Sequence, residues 1–266
     1  MPKTVIFALI ILILGLDFYF LFIQPKLLEK PMIEKVKTTL ESSKETEGKI
    51  FIITLYDNYQ TDPRLKTGWG FSCLIKMNGK RILFDTGADS ETLLSNMGKM
   101  EINPKEIDFV FISHLHGDHT GGLSGLLAIK PDLKVYKPES FSAPEKIIDG
   151  VWTTGPLGTW IKEQSLVINS EKGLIIITGC AHPGVVNIIE KAKEMFPEKR
   201  VFLVLGGFHL SEASDPELKS IISDFKKLGV QKVAPCHCSG DRCRELFKEE
   251  YKENFIENGV GQIIKI

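Results

Sequence analysis

The stretch that decides the fold runs Ile107-Asp108-Phe109-Val110-Phe111-Ile112-Ser113-His114-Leu115-His116-Gly117-Asp118-His119-Thr120-Gly121-Gly122. An apolar strand breaks off into three of the chain's 6 histidines. Residues two apart on an extended segment point to the same side, so His114 and His116 can bind one metal together. Gly117 lets the chain turn, and Asp118 and His119 then reach a second metal beside the first. Thr120-Gly121-Gly122 opens the following helix with little bulk, so backbone can come close to the site. Imidazole with carboxylate suits zinc, iron or manganese, and a dinuclear pair can activate water between its ions.

The other three histidines also stand at the ends of apolar strands. His182 lies in Thr178-Gly179-Cys180-Ala181-His182-Pro183-Gly184, and His237 in Ala234-Pro235-Cys236-His237-Cys238. Each falls between a strand and a helix and reads as a further metal ligand. His209, in Gly206-Gly207-Phe208-His209-Leu210, reads as a hydrogen-bonded strand end, a substrate-binding group or a general acid.

Working outward, strands are expected at 50–56, 71–77, 80–85, 107–113, 165–169, 173–178, 200–205, 231–234 and 262–266. Asn78-Gly79 and Glu171-Lys172 would close two hairpins. Helical patterns occupy 91–97, 123–129, 185–195, 216–228 and 242–251. Hairpins fill the first half, and helix alternates with strand in the second. That order predicts an α/β protein with mixed sheets covered by helices. The two hairpin-then-helix stretches are loosely similar, without a fixed repeat.

Upstream, residues 5–23 read VIFALIILILGLDFYFLFI, with Asp17 the only charge. A helix of about 19 such residues just spans a hydrocarbon core of about 30 Å. No small-residue cleavage site follows it, so it reads as an uncleaved membrane anchor. Lys26, Lys30, Lys35 and Lys37 follow the span and favour a cytoplasmic body. The expected organisation is an anchor over 1–24, a charged linker over 25–49 and one domain over 50–266.

Composition narrows the function. The 266 residues carry 33 Lys+Arg against 34 Asp+Glu, 43% apolar residues and 5 Cys. Wholesale disorder and a disulfide-stapled miniprotein are excluded. The formal charge of −1 argues against a nucleic-acid partner, which calls for a clear basic excess.

The chain resembles the metallo-β-lactamase superfamily in His114-Leu-His116-Gly-Asp118-His119, in the preceding Phe84-Asp85-Thr86-Gly87 and in the strand-end His237. The resemblance implies a four-layer αββα sandwich with two divalent metals, zinc above iron or manganese, at one edge between the sheets. Asp85 matches a group that orients a metal-bound histidine. The family's usual turn histidine is absent from Gly150–Gly155, so His182 would supply it from a new position. Cysteine stands at Cys180 where aspartate is usual, either as a thiolate ligand or as a packed thiol.

Asp57-Asn58, the Gly179-Cys180-Ala181-His182 turn, Gly207-Phe208-His209 and Asn258-Gly-Val-Gly261 resemble one branch, the 7,8-dihydropterin-6-methyl-4-(β-D-ribofuranosyl)aminobenzene-5′-phosphate synthases and related metal-dependent hydrolases. Such enzymes join an activated dihydropterin to a ribofuranosylaminobenzene phosphate in methanopterin biosynthesis, releasing pyrophosphate. The resemblance thus implies a small phosphorylated substrate, with metals at His114, His116, Asp118, His119, His182 and His237. Asp118 and His209 would serve the chemistry, and Asn58 and His209 would bind substrate. A rival reading is a non-catalytic, membrane-tethered metal sensor built on Cys236, His237, Cys238 and Cys243. Trp69, Trp152 and Trp160 either line the cleft or pack loops against the sheets.

Overall fold

The computed structural model describes residues 49–266. The Asn78-Gly79 turn joins β2 (Ser72–Met77) to β3 (Lys80–Phe84), with Asn78 at φ 48 and Gly79 at φ 71, the left-handed pair a tight hairpin needs. β1 (Phe51–Tyr56) pairs antiparallel with β2, and the short β12 (Ile263–Lys265) closes that edge. Beyond β3, the chain crosses through helix α1 (Ser90–Lys99) and returns as β4 (Phe109–Phe111), parallel to β3. After the two short helices α2 (Gly117–Thr120) and α3 (Leu123–Ile129) comes β5 (Lys134–Tyr136), parallel to β4. The first sheet therefore runs β12-β1-β2-β3-β4-β5.

The second sheet repeats this plan. β6 (Glu145–Ile148), β7 (Val151–Thr153), β8 (Leu166–Ser170) and β9 (Gly173–Thr178) form an antiparallel meander. Helices α4 (Val185–Met195) and α5 (Asp215–Lys227) then carry the chain to β10 (Val201–Gly207) and β11 (Lys232–Cys236), both parallel to β9. Its order is β11-β10-β9-β8-β7-β6, and α6 (Asp241–Tyr251) packs outside it. Both sheets are mixed, as the sequence pattern predicts. The similarity of the two halves is one of topology: a hairpin, a helix and a parallel return.

The main core lies between the sheets. Ile52, Phe71, Ile75, Phe84 and Phe111 of the first meet Leu166, Ile168, Ile175, Ile177, Leu203 and Leu205 of the second. Alternate residues of the second sheet, Leu174, Ile176, Val204 and Val233, face Ile188 and Ile189 of α4, Phe225 of α5 and Phe247 of α6. A strand covered on both faces has no need to alternate, and Gly173–Thr178 reads GLIIIT with every residue buried.

Three strands were not expected from the sequence. β5 and β7 are three residues long and β6 is four, too short to display a period of two. The Gly150–Gly155 stretch, expected as a turn, contains β7. Among the described residues, no helix is long and apolar enough to cross a membrane. The anchor expected over 1–24, and the linker up to residue 48, lie outside the described residues.

Candidate metal centre

β3 and β4 run parallel, as do β9, β10 and β11, while β1 is antiparallel to β2 and so runs with β3. The carboxyl ends of all six strands open onto one edge of the sandwich. There stand Asp57-Asn58, Asp85, Ser113-His114, Cys180–His182, His209 and His237. Four of these turns place a non-glycine residue in the left-handed region: Asp85 (φ 52), Ala181 (φ 63), His209 (φ 55) and His237 (φ 51). Such backbone costs about 1 kcal/mol or more per residue and persists where surrounding contacts over-determine it.

The Asp85 carboxylate is fully buried and organises the first histidine loop. It accepts hydrogen bonds from Ser113 N–H and Ser113 Oγ, each at 2.7 Å, and lies 2.7 Å from His119 Nδ1. Ser113 Oγ in turn lies 2.9 Å from His114 Nδ1. Both rings are thereby fixed with Nε2 aimed into the site. Gly179 has to be glycine here, because a Cβ would overlap the Ser113 hydroxyl. Likewise a Cβ on Gly121 would overlap the Ala88 carbonyl, so the glycines after His119 seat the helix on the Asp85 loop.

His119 Nε2 lies 3.2 Å from Cys180 Sγ and 3.2 Å from His237 Nε2. Asp118 Oδ2 is 3.4 Å from His237 Nε2 and 3.6 Å from His119 Nε2. His114, His182 and Cys180 bring their donor atoms together in a second group within 4.8 Å, so Cys180 belongs to both. The His116 ring stands against the second group, 4.6 Å from His114 and 4.9 Å from His182 between centroids. His116 is exposed, and its donor atoms fall outside the two tight groups. The ring of His209, also exposed, lies 4.5 Å from that of His182 and is tilted to it by 57°.

The electrostatics suit cations. Burial, followed by the neighbouring imidazoles, pushes His114 down to about 2 and His182 to about 4, so both rings stay neutral. Burial would raise the Asp118 carboxyl, but the hydrogen bond with His237 and the charges of His119 and His237 hold it below the usual carboxylate range. His119 also loses by burial, yet the Asp85 carboxylate beside it raises it overall. The Cys180 thiol is pushed up by its hydrogen bond to Cys238 and by burial. A bound cation would reverse that direction, since it favours thiolate over thiol.

The residues fit a metal. His114 Nε2 and His182 Nε2 are buried without any hydrogen-bond partner, which is costly for polar atoms unless something fills the gap. Imidazole, carboxylate and thiolate converging on one point are the donors of zinc or iron sites.

Asn58, expected to bind substrate, stands beside the donors and meets His237: its Nδ2 donates to the His237 carbonyl at 3.3 Å, and its Oδ1 lies 3.4 Å from Nδ1. One expectation changes. The thiolate-rich set Cys236, His237, Cys238 and Cys243 does not assemble. Cys236 packs between the sheets while Cys243 packs on the helix side, because a strand and a helix carry them into different layers. All five cysteines are free and buried.

The sequence reading missed Glu163. Its buried carboxylate accepts the N–H groups of Gly179, Cys180 and Ala181 on Oε1 and of His182 on Oε2, at 2.8–3.2 Å. The next residue, Gln164, donates from its backbone to Ser113 O and from Nε2 to Ile112 O. One loop thus holds both ligand-bearing turns. Nothing local in Lys162-Glu163-Gln164 signals this, since the partners are 16–52 residues away.

Residues 70–193 match the metallo-beta-lactamase superfamily. The chain is 32% identical to the 7,8-dihydropterin-6-methyl-4-(beta-D-ribofuranosyl)-aminobenzene-5′-phosphate synthase of Methanocaldococcus jannaschii, over 79% of this chain and 93% of that protein. It is 31% identical to an uncharacterized protein of the same organism, over 74% and 93%. The crystal structure of a metal-dependent hydrolase of the beta-lactamase superfamily superposes with a TM-score of 0.70 at 27% identity, covering 82% of this chain and 99% of that one. The metallo-beta-lactamase fold protein YhfI from Bacillus subtilis superposes at 0.62 with 14% identity, a likeness of fold. The chain belongs to the metallo-β-lactamase superfamily, whose members use divalent metals. Within it, the chain is similar to both a synthase and a hydrolase.

Proposed function

We propose that the chain is a dinuclear-metal enzyme that displaces pyrophosphate from an activated dihydropterin, using the amine of a ribofuranosylaminobenzene phosphate. The nitrogen–carbon bond to the pterin methylene forms as the carbon–oxygen bond to pyrophosphate breaks, and the amine gives up a proton. The observation carrying this reading is the pair of donor groups, Asp118, His119, Cys180 and His237 beside His114, Cys180 and His182. The synthase relative, spanned over 93% of its length, supports the choice of substrate. Hydrolysis of a phosphorylated substrate is the second reading, favoured by likeness to the metal-dependent hydrolase.

His114, His116 and His182 would hold one divalent ion and Asp118, His119 and His237 the other, with Cys180 within reach of both donor groups. When bound, the ions supply Lewis acidity, polarising phosphate oxygens and offsetting charge on the leaving group. The protein's own groups do the rest. Asp118 stays anionic, and Asp85 and Glu163 hold the ligand turns in register. His209 is raised by its hydrogen bond with Cys238 and stands exposed at the rim, where it would bind a pyrophosphate oxygen and hold the proton that oxygen takes up. Residues 5–23 would tether the domain at the cytoplasmic side of a membrane, which fractionation with and without them tests.

Metal analysis and pyrophosphate release, measured on the purified chain, test the enzyme reading. About two metals per chain are expected, with turnover lost by about 100-fold or more in His116→Ala and in Asp118→Asn. Metal-free protein, or turnover intact in both variants, would overturn it. Phosphate-ester hydrolysis without pterin transfer would select the second reading.

A further inference from the structure

Large apolar side chains are exposed at four places among the described residues: Trp69 (57%), Leu115 (58%), Ile129 (36%) and Trp160 (98%). Three of the four surround the histidines. Leu115 lies between His114 and His116, and the Trp69 ring is 5.0 Å from His237. Trp160 lines a cleft of about 490 Å³ together with Leu115, His116 and Phe141. That volume is in the range of small-molecule sites, about 300–1,000 Å³. Apolar surface gathered beside a polar ligand cluster marks a place where an apolar body is meant to rest.

The walls specify that body. An indole left almost wholly exposed presents a flat π-face, whose best partner is another ring. Two charged side chains line the cleft: Lys162, whose Nζ donates to the Gly158 carbonyl at 2.6 Å and so stays on the loop that carries Trp160, and Glu139, on a separate turn after β5. An aromatic ring bearing an anionic group for Lys162 and hydroxyl donors for Glu139 satisfies all three features. His116 on the cleft wall sets the inner end of such a molecule beside the donor groups.

We propose that this cleft is the subsite for the aryl phosphate substrate, with Trp160 stacking on its ring and Lys162 opposing its phosphate. The inference rests on the function proposed above and deepens it: the amine-bearing reactant enters from the His116 side. The same loop continues directly into Glu163, so the subsite and the clamp on the Cys180–His182 turn are neighbours in the chain.

The test titrates the full chain with 4-(β-D-ribofuranosyl)aminobenzene 5′-phosphate and with ribose 5-phosphate, reading tryptophan fluorescence and, with the pterin pyrophosphate present, pyrophosphate release. The aryl compound should quench saturably. Trp160→Ala should raise its Kd about tenfold, Trp160→Phe should restore most of the binding, and the kinetic loss should fall in KM more than in kcat. Ribose 5-phosphate should bind the wild type and Trp160→Ala alike, and Lys162→Ala should weaken both compounds. Unchanged aryl-phosphate binding in Trp160→Ala overturns the subsite, while wild-type pyrophosphate release leaves the transfer reading standing. Trp160-dependent quenching without any pyrophosphate release keeps the subsite and sinks the transfer reading.

Discussion

Asp57 follows β1 by one residue and is fully buried, with Oδ1 accepting from Tyr59 N–H and the Cys236 thiol beside the carboxylate. Burial raises its carboxyl from 3.8 to about 6. The folded chain therefore holds a proton that the unfolded chain releases near pH 4. Stability from this group is complete below pH 4 and is lost as pH rises through about 6, a cost on the order of 2–3 kcal/mol at neutral pH. Asp57→Asn keeps the Oδ1 acceptor and removes the charge. Its unfolding midpoint should exceed that of the wild type at pH 7.5, and the gap should close at pH 4. An equal gap at both values would show that the buried charge is not the cause. His114 and His119 show the same principle in the site: equally buried rings move in opposite directions because only His119 touches Asp85.

Among the elements, the segment from β7 to β8 has the widest reach. Glu163 satisfies four backbone N–H groups of the ligand turn, and each would cost about 1–3 kcal/mol if left buried and unpaired. Glu163→Ala should therefore lose metal or fail to fold. Glu163→Gln is the informative variant, because it keeps the Oε1 acceptor but turns a donor toward His182 N–H. It should fold and bind metal about 10–100-fold more weakly, as read by competition with a chromophoric chelator. Metal affinity equal to wild type would mean that the turn holds its shape without the clamp. Strand ends contribute in a second way: Asp85, Ala181, His209 and His237 turn in left-handed backbone, which lets short loops aim side chains at one point.

Taken as a whole, the molecule places its donors on two sheets that apolar residues hold together. Asp118 and His119 follow the first sheet, while Cys180, His182 and His237 follow the second. A cation bound across that edge stabilises the folded state and not the unfolded one. Removing metal with a chelator should lower the unfolding midpoint by about 5–10 °C, corresponding to about 2.7 kcal/mol for metal at 100 times its Kd. Re-addition of zinc should restore it. An unfolding midpoint indifferent to chelator would mean that the sheets are joined by apolar packing alone.

The sequence by itself determined the class of the fold and which side chains are available as metal donors. The H-x-H-x-D-H run after an apolar strand, the histidines at two later strand ends and the Asn78-Gly79 hairpin are local patterns, legible because turn residues and ligand spacing act over a few positions. Only the tertiary structure decided what each residue meets. It brought Cys180 within 3.2 Å of His119 and turned Asn58 onto His237. It also sent Cys236 and Cys243 into different layers, and put Glu163 beneath the ligand turn. These contacts join residues from 16 to 179 positions apart, and no local pattern encodes them. They follow from burial: two sheets close on their apolar faces, and polar groups carried to the shared edge must find partners there.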